Sequence, residues 1–187
     1  EEVLDLQKKV TSKKGTLLTK RKGVKRLLPV RKMTSLIKVV RPNATTVIGT
    51  DESWFNAIEI SRESFWVPTN TAKWVWGAND PFGAAAVVSR RFRIRRVRDV
   101  INATLFFAVD NYGVVLINGR PVINDIKQNT PRFFMNGRTI DISDFLRSGV
   151  NDIVIVGFNF GGPGTGFDLP RSATNPAGIL ARLTIET

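Results

Sequence analysis

The sequence contains no cysteine and no histidine. Without cysteine there is no disulfide frame, no thiolate nucleophile and no zinc knuckle. Without histidine the Ser-His-Asp and Cys-His arrangements fall away, together with the commonest transition-metal ligands. A hydrolase built on this chain would have to use paired carboxylates or a lysine base. No apolar run approaches the about 18 residues that a membrane-spanning helix needs. The opening Glu1-Glu2-Val3-Leu4-Asp5 lacks the cationic-then-apolar layout of a signal peptide, so an intracellular location is expected. These absences point to a non-enzymatic protein with no cofactor and no metal.

What the chain has in excess is positive charge, unevenly placed. The net charge is +12 over 187 residues. Residues 1–41 hold 13 Lys/Arg against 3 acids, whereas residues 42–187 hold 15 against 13. The charge therefore belongs to an arm, and it speaks to what the arm touches rather than to the fold. The arm is expected over residues 1–46 and the folded body over 47–187. The arm has no Trp, Phe or Tyr. Its cations fall in groups: Lys8-Lys9, Lys13-Lys14, Lys20-Arg21-Lys22, Lys25-Arg26 and Arg31-Lys32. Apolar pairs stand between them, including Leu17-Leu18, Leu27-Leu28, Leu36-Ile37 and Val39-Val40. Their spacing matches neither a helix nor a strand, and they are too short to build a core. Such a segment needs another molecule to give it shape. Protein subunits that accept the apolar pairs in pockets are the first choice of partner. Nucleic acid is the second, and a merely solvated tail the third. The absence of stacking aromatics and of an Arg-rich run counts against nucleic acid.

The body reads as short strands separated by turn signals. Runs of strand type occur at 54–60, 73–76, 86–88, 91–94, 103–109, 113–117, 139–142, 152–158 and 178–185. Breakers stand at Asp80-Pro81, Asn118-Gly119, Asn136-Gly137, Ser148-Gly149 and Gly161-Gly162-Pro163-Gly164. Only Ser143–Arg147 has the look of a helical turn. This pattern predicts an all-β sandwich or jelly roll of eight or nine strands. Asn118-Gly119 supplies the positive φ values of a tight hairpin turn. Asp141 and Ser143-Asp144 suit a cap for the short helical turn, and Gly149 suits its stop.

Three stretches carry a resemblance. Trp74-Val75-Trp76-Gly77 is followed by Phe92-Arg93-Ile94. Leu105–Tyr112 leads into Val114-Val115-Leu116-Ile117-Asn118-Gly119-Arg120-Pro121-Val122. Ile140-Asp141-Ile142-Ser143-Asp144-Phe145-Leu146 leads through Gly149 and Asn151 to Ile153-Val154-Ile155. Together with the closing Gly178-Ile179-Leu180-Ala181-Arg182-Leu183, these resemble the galactose-binding-like β-sandwich family, as in the sugar-binding jelly roll of β-galactosidases. The resemblance covers about residues 54–187 and omits the arm. It implies the fold, and the same fold serves sugar binding, protein docking and plain structure.

Two clusters are candidate binding sites. Trp54, Trp66, Trp74 and Trp76 fall within 23 residues and would make a sugar-stacking platform. The plainer expectation is core packing, with Trp74 and Trp76 alternating on one strand face. Arg90, Arg91, Arg93, Arg95, Arg96 and Arg98 place six arginines in nine positions, suited to docking acidic subunits or phosphate, or to a solvated sheet face. Asp110, Asp141, Asp144 and Asp168 could pair across a glycosidic bond or hold calcium, but turn and cap roles account for them more simply. The glycine run from Gly161 lacks the G-K-[ST] ending of a phosphate loop.

The expected function is a structural protein of a large assembly, a minor capsid protein of an icosahedral virus. Its jelly roll would sit in the virion shell, and its arm would tether neighbouring capsid subunits. The alternatives are a carbohydrate-binding module and a packaging protein that contacts nucleic acid through the arm.

Overall fold

The computed structural model describes residues 37–126, 132–161 and 168–187. The arm residues named as partner-binding, from Lys8 to Lys32, lie outside the described residues. The sandwich begins before the expected boundary at residue 47. Its first strand is β1 (Lys38–Val39), followed by β2 (Thr45–Gly49), β3 (Ala57–Glu59), β4 (Val75–Gly77) and β5 (Ala85–Ile94). Then come β6 (Asn102–Asp110), β7 (Tyr112–Ile117), β8 (Arg120–Asn124), β9 (Arg138–Asp141), β10 (Gly149–Phe158) and β11 (Gly178–Glu186). The runs at 86–88 and 91–94 merge into β5. The run at 54–60 does not form one strand: only Ala57–Glu59 pairs as β3, and Phe55 makes an isolated bridge to Ser89. A single helical turn, α1 (Phe133–Asn136), was not expected, and the expected turn at 143 is a 3₁₀ turn over Ser143–Phe145.

Two sheets stack into the sandwich. Sheet one has the order β1-β5-β10-β7-β8, and sheet two the order β3-β4-β11-β6-β9, with β2 pairing β11 as well. Within sheet one, β5, β10, β7 and β8 run antiparallel to their neighbours, while β1 runs parallel to β5. Along β10 the residues Asn151, Ile153, Ile155 and Gly157 are buried and alternate with half-buried ones, the period-2 pattern of a strand with one face on a core. Ile153 and Ile155 join Leu105, Phe107, Leu183 and Ile185 of sheet two in one apolar cluster. Each such side chain contributes about 1.5–3 kcal/mol when fully buried.

Local chemistry closes the connections. Asn118 and Gly119 have φ of 53° and 76°, the two positive values of a two-residue hairpin turn between β7 and β8. The Asn118 amide donates to the Phe145 carbonyl and to Asn151 Oδ1, both at 2.8 Å. Asn151 is fully buried and in turn donates to the Arg147 carbonyl at 2.7 Å. Asp141 accepts the Ser143 N–H at 2.8 Å, which caps the 3₁₀ turn and holds the Asp141 carboxyl below its usual range. At the opposite sheet edges, Arg138 of β9 pairs with Asp125, just after β8, at 2.7 Å and lies 3.7 Å over the Phe133 ring.

A second apolar layer covers the outer face of sheet two. Trp66, Ala72 and Trp74 pack on Ala108 of β6 and Leu180 of β11. The Trp66 and Trp74 rings lie 4.3 Å apart at 30°. Gly178 is the floor beneath them: a Cβ there would meet Trp66 Cη2 and Trp74 Cε3, each at 2.8 Å. Neither ring can yield without moving the layer, so Gly178→Ala is expected to destabilise the domain by about 1–3 kcal/mol. A lowered urea midpoint with unchanged slope is the expected readout.

Candidate functional site

The four tryptophans do not form a stacking platform. Each is at most 3% exposed, so no indole face is open to a sugar ring. Their indole N–H groups are committed inward as well: Trp54 to the Gly49 carbonyl at 2.8 Å, Trp76 to Gly83 at 3.2 Å, Trp74 to Val67 at 3.2 Å and Trp66 to Asp110 Oδ2 at 2.8 Å. Core packing is what they do, but not as one set. Trp54 and Trp76 lie in the main core, and Trp66 and Trp74 in the outer layer.

The pleat of β5 divides the arginines. Arg90 shares the inward phase of Val88 and Phe92, and its Nη1 donates to the Ser53 carbonyl. Arg91 and Arg93 take the outward phase and are exposed, and Arg95 follows past the strand end. Arg96 pairs with Asp99 at 2.7 Å, and Arg98 is exposed in the adjoining 3₁₀ turn. The six therefore do not act as one patch.

A better-formed site lies at the other end of β5, where three connections meet. These are the β4–β5 loop, the β6–β7 turn at Asn111 and the start and finish of the β10–β11 connection. Asn159 N–H donates to the Ala84 carbonyl at 2.8 Å, and Asn111 N–H to the Phe158 carbonyl at 3.0 Å. Asn111 Oδ1 accepts the Phe160 N–H at 2.6 Å. The Arg171 N–H donates to the Phe82 carbonyl at 2.9 Å, tying the two longer loops together. Out of this bonded framework projects the Phe82 ring, 66% exposed. The Arg171 guanidinium holds the same loops, donating to the Ala177 carbonyl at 3.2 Å and the Pro81 carbonyl at 3.4 Å, and at this end of the sandwich Asp168 accepts the Tyr112 hydroxyl at 2.5 Å. Burial, and then that carboxylate, push the Tyr112 phenol up. Tyr112 also stacks on Phe158 at 4.9 Å. Sequence reading passed over Phe82. Its signal was an aromatic residue next to Asp80-Pro81, where a turn has no core to bury it.

Asp110 ends β6 beneath this site and is 4% exposed. Loss of water pushes its carboxyl up to about 6 from the ordinary 3.8. The Trp66 N–H partly opposes this rise, and the negative charge of Glu63 adds to it. Asp110 is thus sealed against the Trp66 indole at the end of β6 rather than serving in a turn, while Asp141 bonds the Ser143 N–H at the start of the 3₁₀ turn. Among the described residues no group of three or more Asp or Glu side chains is placed to hold a metal ion. No helix among them is long and apolar enough to cross a membrane. Residues 162–167 of the glycine run lie outside the described residues.

No protein-family model matches the chain, and no curated protein matches it in sequence. Solved structures do resemble it. An α-L-rhamnosidase from Streptomyces avermitilis, solved with L-rhamnose, is 21% identical, with a TM-score of 0.49 over 71% of this chain. This chain spans only 12% of that enzyme. A family 35 carbohydrate-binding module from Clostridium thermocellum is 12% identical, with a TM-score of 0.39 over 74% of this chain and 97% of its own. A module of the same family from Paenibacillus barcinonensis is 11% identical, with a TM-score of 0.41 over 76% of this chain and 98% of its own. The likeness is one of fold, and the structure itself has the all-β, two-sheet sandwich expected from the sequence. The expectation of a minor capsid protein, and with it a virion location and capsid partners, is corrected. The resembling structures include glycosidases and carbohydrate-binding modules, and the arm that motivated the tether lies outside the described residues.

The raised Asp110 carboxyl has a measurable consequence. Folding favours its protonated form, so its stabilising contribution is complete below about pH 4 and is lost as the pH rises through about 6. Asp110→Asn keeps an acceptor for Trp66 and removes the buried charge. The variant is expected to exceed the parent in stability at pH 7 by roughly 2–3 kcal/mol and to match it near pH 4. Urea denaturation at the two pH values reads the difference.

Proposed function

We propose that this chain is a non-catalytic carbohydrate-binding module that takes a glycan at the Phe82 end of the sandwich. One observation carries the reading. An exposed aromatic ring, 66% accessible, projects from loops cross-bonded to each other, at the end of the sandwich that also holds Arg171, Asn111 and Asp168. A flat apolar ring receives the C–H face of a sugar, and nearby amide, guanidinium and carboxylate groups take its hydroxyls. Pre-bonded loops keep the ordering cost of binding low. The non-catalytic part of the proposal rests on the lack of histidine and cysteine and on the fate of the carboxylates. Asp110 is sealed under Trp66 and Asp141 is held by the Ser143 N–H, so neither supplies the acid or nucleophile of a glycosidase pair. This was the alternative that the sequence left open.

The test is a glycan array followed by titration of the hits. Binding of at least one neutral glycan is expected. Phe82→Ala is expected to weaken it by about 1–3 kcal/mol in binding free energy, the scale of lost ring stacking, with an unchanged urea midpoint. A wild-type chain that binds no glycan on the array, or a Phe82→Ala variant with full affinity, would overturn the reading.

A further inference from the structure

The outer face of sheet one carries a cationic track at the end remote from Phe82. From Ala85 to Arg93 the strand covers about 27 Å at the usual rise per residue. Arg91 and Arg93 stand on the outward phase of β5, roughly 7 Å apart, and Arg95 continues the row. Parallel β1 runs along the same edge, with Val39 opposite Arg93 and the Val40 N–H donating to the Arg93 carbonyl at 2.9 Å. This brings exposed Arg41 to the row. On the other side, Arg147 is held by the Val150 carbonyl at 3.0 Å, and Val150 lies opposite Arg93 in β10. Among the described residues, Arg91, Arg93 and Arg95 make no ion pair and no side-chain hydrogen bond.

An aromatic ring begins the row. Phe55 is paired with Ser89, two residues before Arg91, through N–H to carbonyl bonds of 2.8 and 3.3 Å. Its ring is 74% exposed. Arg90 fixes the loop beneath it by donating to the Ser53 carbonyl. Like charges in a row on one sheet face repel. Asp152, opposite Arg91 in β10, is the one acid in register with it. A ligand with anions repeated along its length would relieve that repulsion, and guanidinium forks match sulfate and carboxylate oxygens.

We infer that this track binds an anionic polysaccharide, with one sugar ring on Phe55 and successive sulfate or carboxylate groups on Arg91, Arg93 and Arg95. Single-strand nucleic-acid grooves stack successive bases on several rings, whereas here one exposed ring serves the whole row. The inference stands apart from the Phe82 site: neutral-glycan binding can fail while this track binds, and the reverse.

The test titrates the full chain with dextran sulfate, polygalacturonate, neutral dextran and oligo-dT over a range of salt. Binding of dextran sulfate or polygalacturonate, and not of neutral dextran, is expected. The R91Q/R93Q/R95Q variant is expected to lose about tenfold or more in affinity, with the salt slope smaller by about 3. Phe55→Ala should weaken binding and leave the slope unchanged. The control K20Q/R21Q/K22Q removes the same charge from the arm and should lose less than about threefold. All variants should share the parent's urea midpoint. The inference is overturned if neither anionic polysaccharide binds or if the control loses as much as the β5 variant. It is also overturned if oligo-dT binds more tightly than both polysaccharides through the same three arginines.

Discussion

The central constraint of this fold is that β11 is buried on both faces. Gly178, Ile179, Leu180 and Ala181 are all inaccessible, a pattern unusual for a strand in an antiparallel sandwich, where one face commonly meets water. Its inner face joins the main core. Its outer face lies under Trp66 and Trp74, and β6 pairs with it along its length. Much else follows from this double burial. Residue 178 has no room for a side chain because two indoles sit on it. The segment between β3 and β4 must cross the outside of sheet two, because it carries those indoles. Asp110 loses its water because the same layer closes over the end of β6.

That layer also links structure to the candidate site. Trp66 donates to Asp110, and the next residue, Asn111, organises the loop end by bonding the Phe158 carbonyl and the Phe160 N–H. The ring of Phe82 is thus presented by a framework whose base is a buried carboxyl and an indole. Asn111 and Arg171 bond the loops to one another, and the Asp110 carboxyl lies buried against the Trp66 indole.

The two ends of sheet one differ in chemistry. Near Ala85 lie Phe82, Tyr112 and Phe158, and near Ile94 lie the exposed arginines. Alternation along β5 produces this division. It sends Phe92 and Ile94 into the core and Arg91 and Arg93 outward, so a run that reads as one basic cluster becomes a single-file row. Arg90 falls out of phase and becomes an anchor for the Phe55 loop. Arg96 is neutralised by its neighbour Asp99.

The sandwich itself was legible in the residues. The strand-type runs Ile153–Phe158 and Leu105–Val109, the Asn118-Gly119 turn and the Asp141–Ser143 bond are local effects that a sequence states directly. The burial of the tryptophans was legible too, from their size. Other features were not. Lys38–Val39 is too short to register as a strand and pairs only because β5 offers a free edge. Phe55 looks like any other phenylalanine, and only the neighbouring Asp80-Pro81 turn hints that the Phe82 ring stays in water. Asp110 looks like a turn residue until Trp66, 44 positions earlier, closes over it. By itself, then, the sequence determined the all-β class, the turns and the separation of a basic arm from a near-neutral body, because those depend on neighbours along the chain. Only the tertiary structure decided which aromatics are exposed, which arginines stand free and which carboxyl is buried, because those depend on what distant strands bring against them.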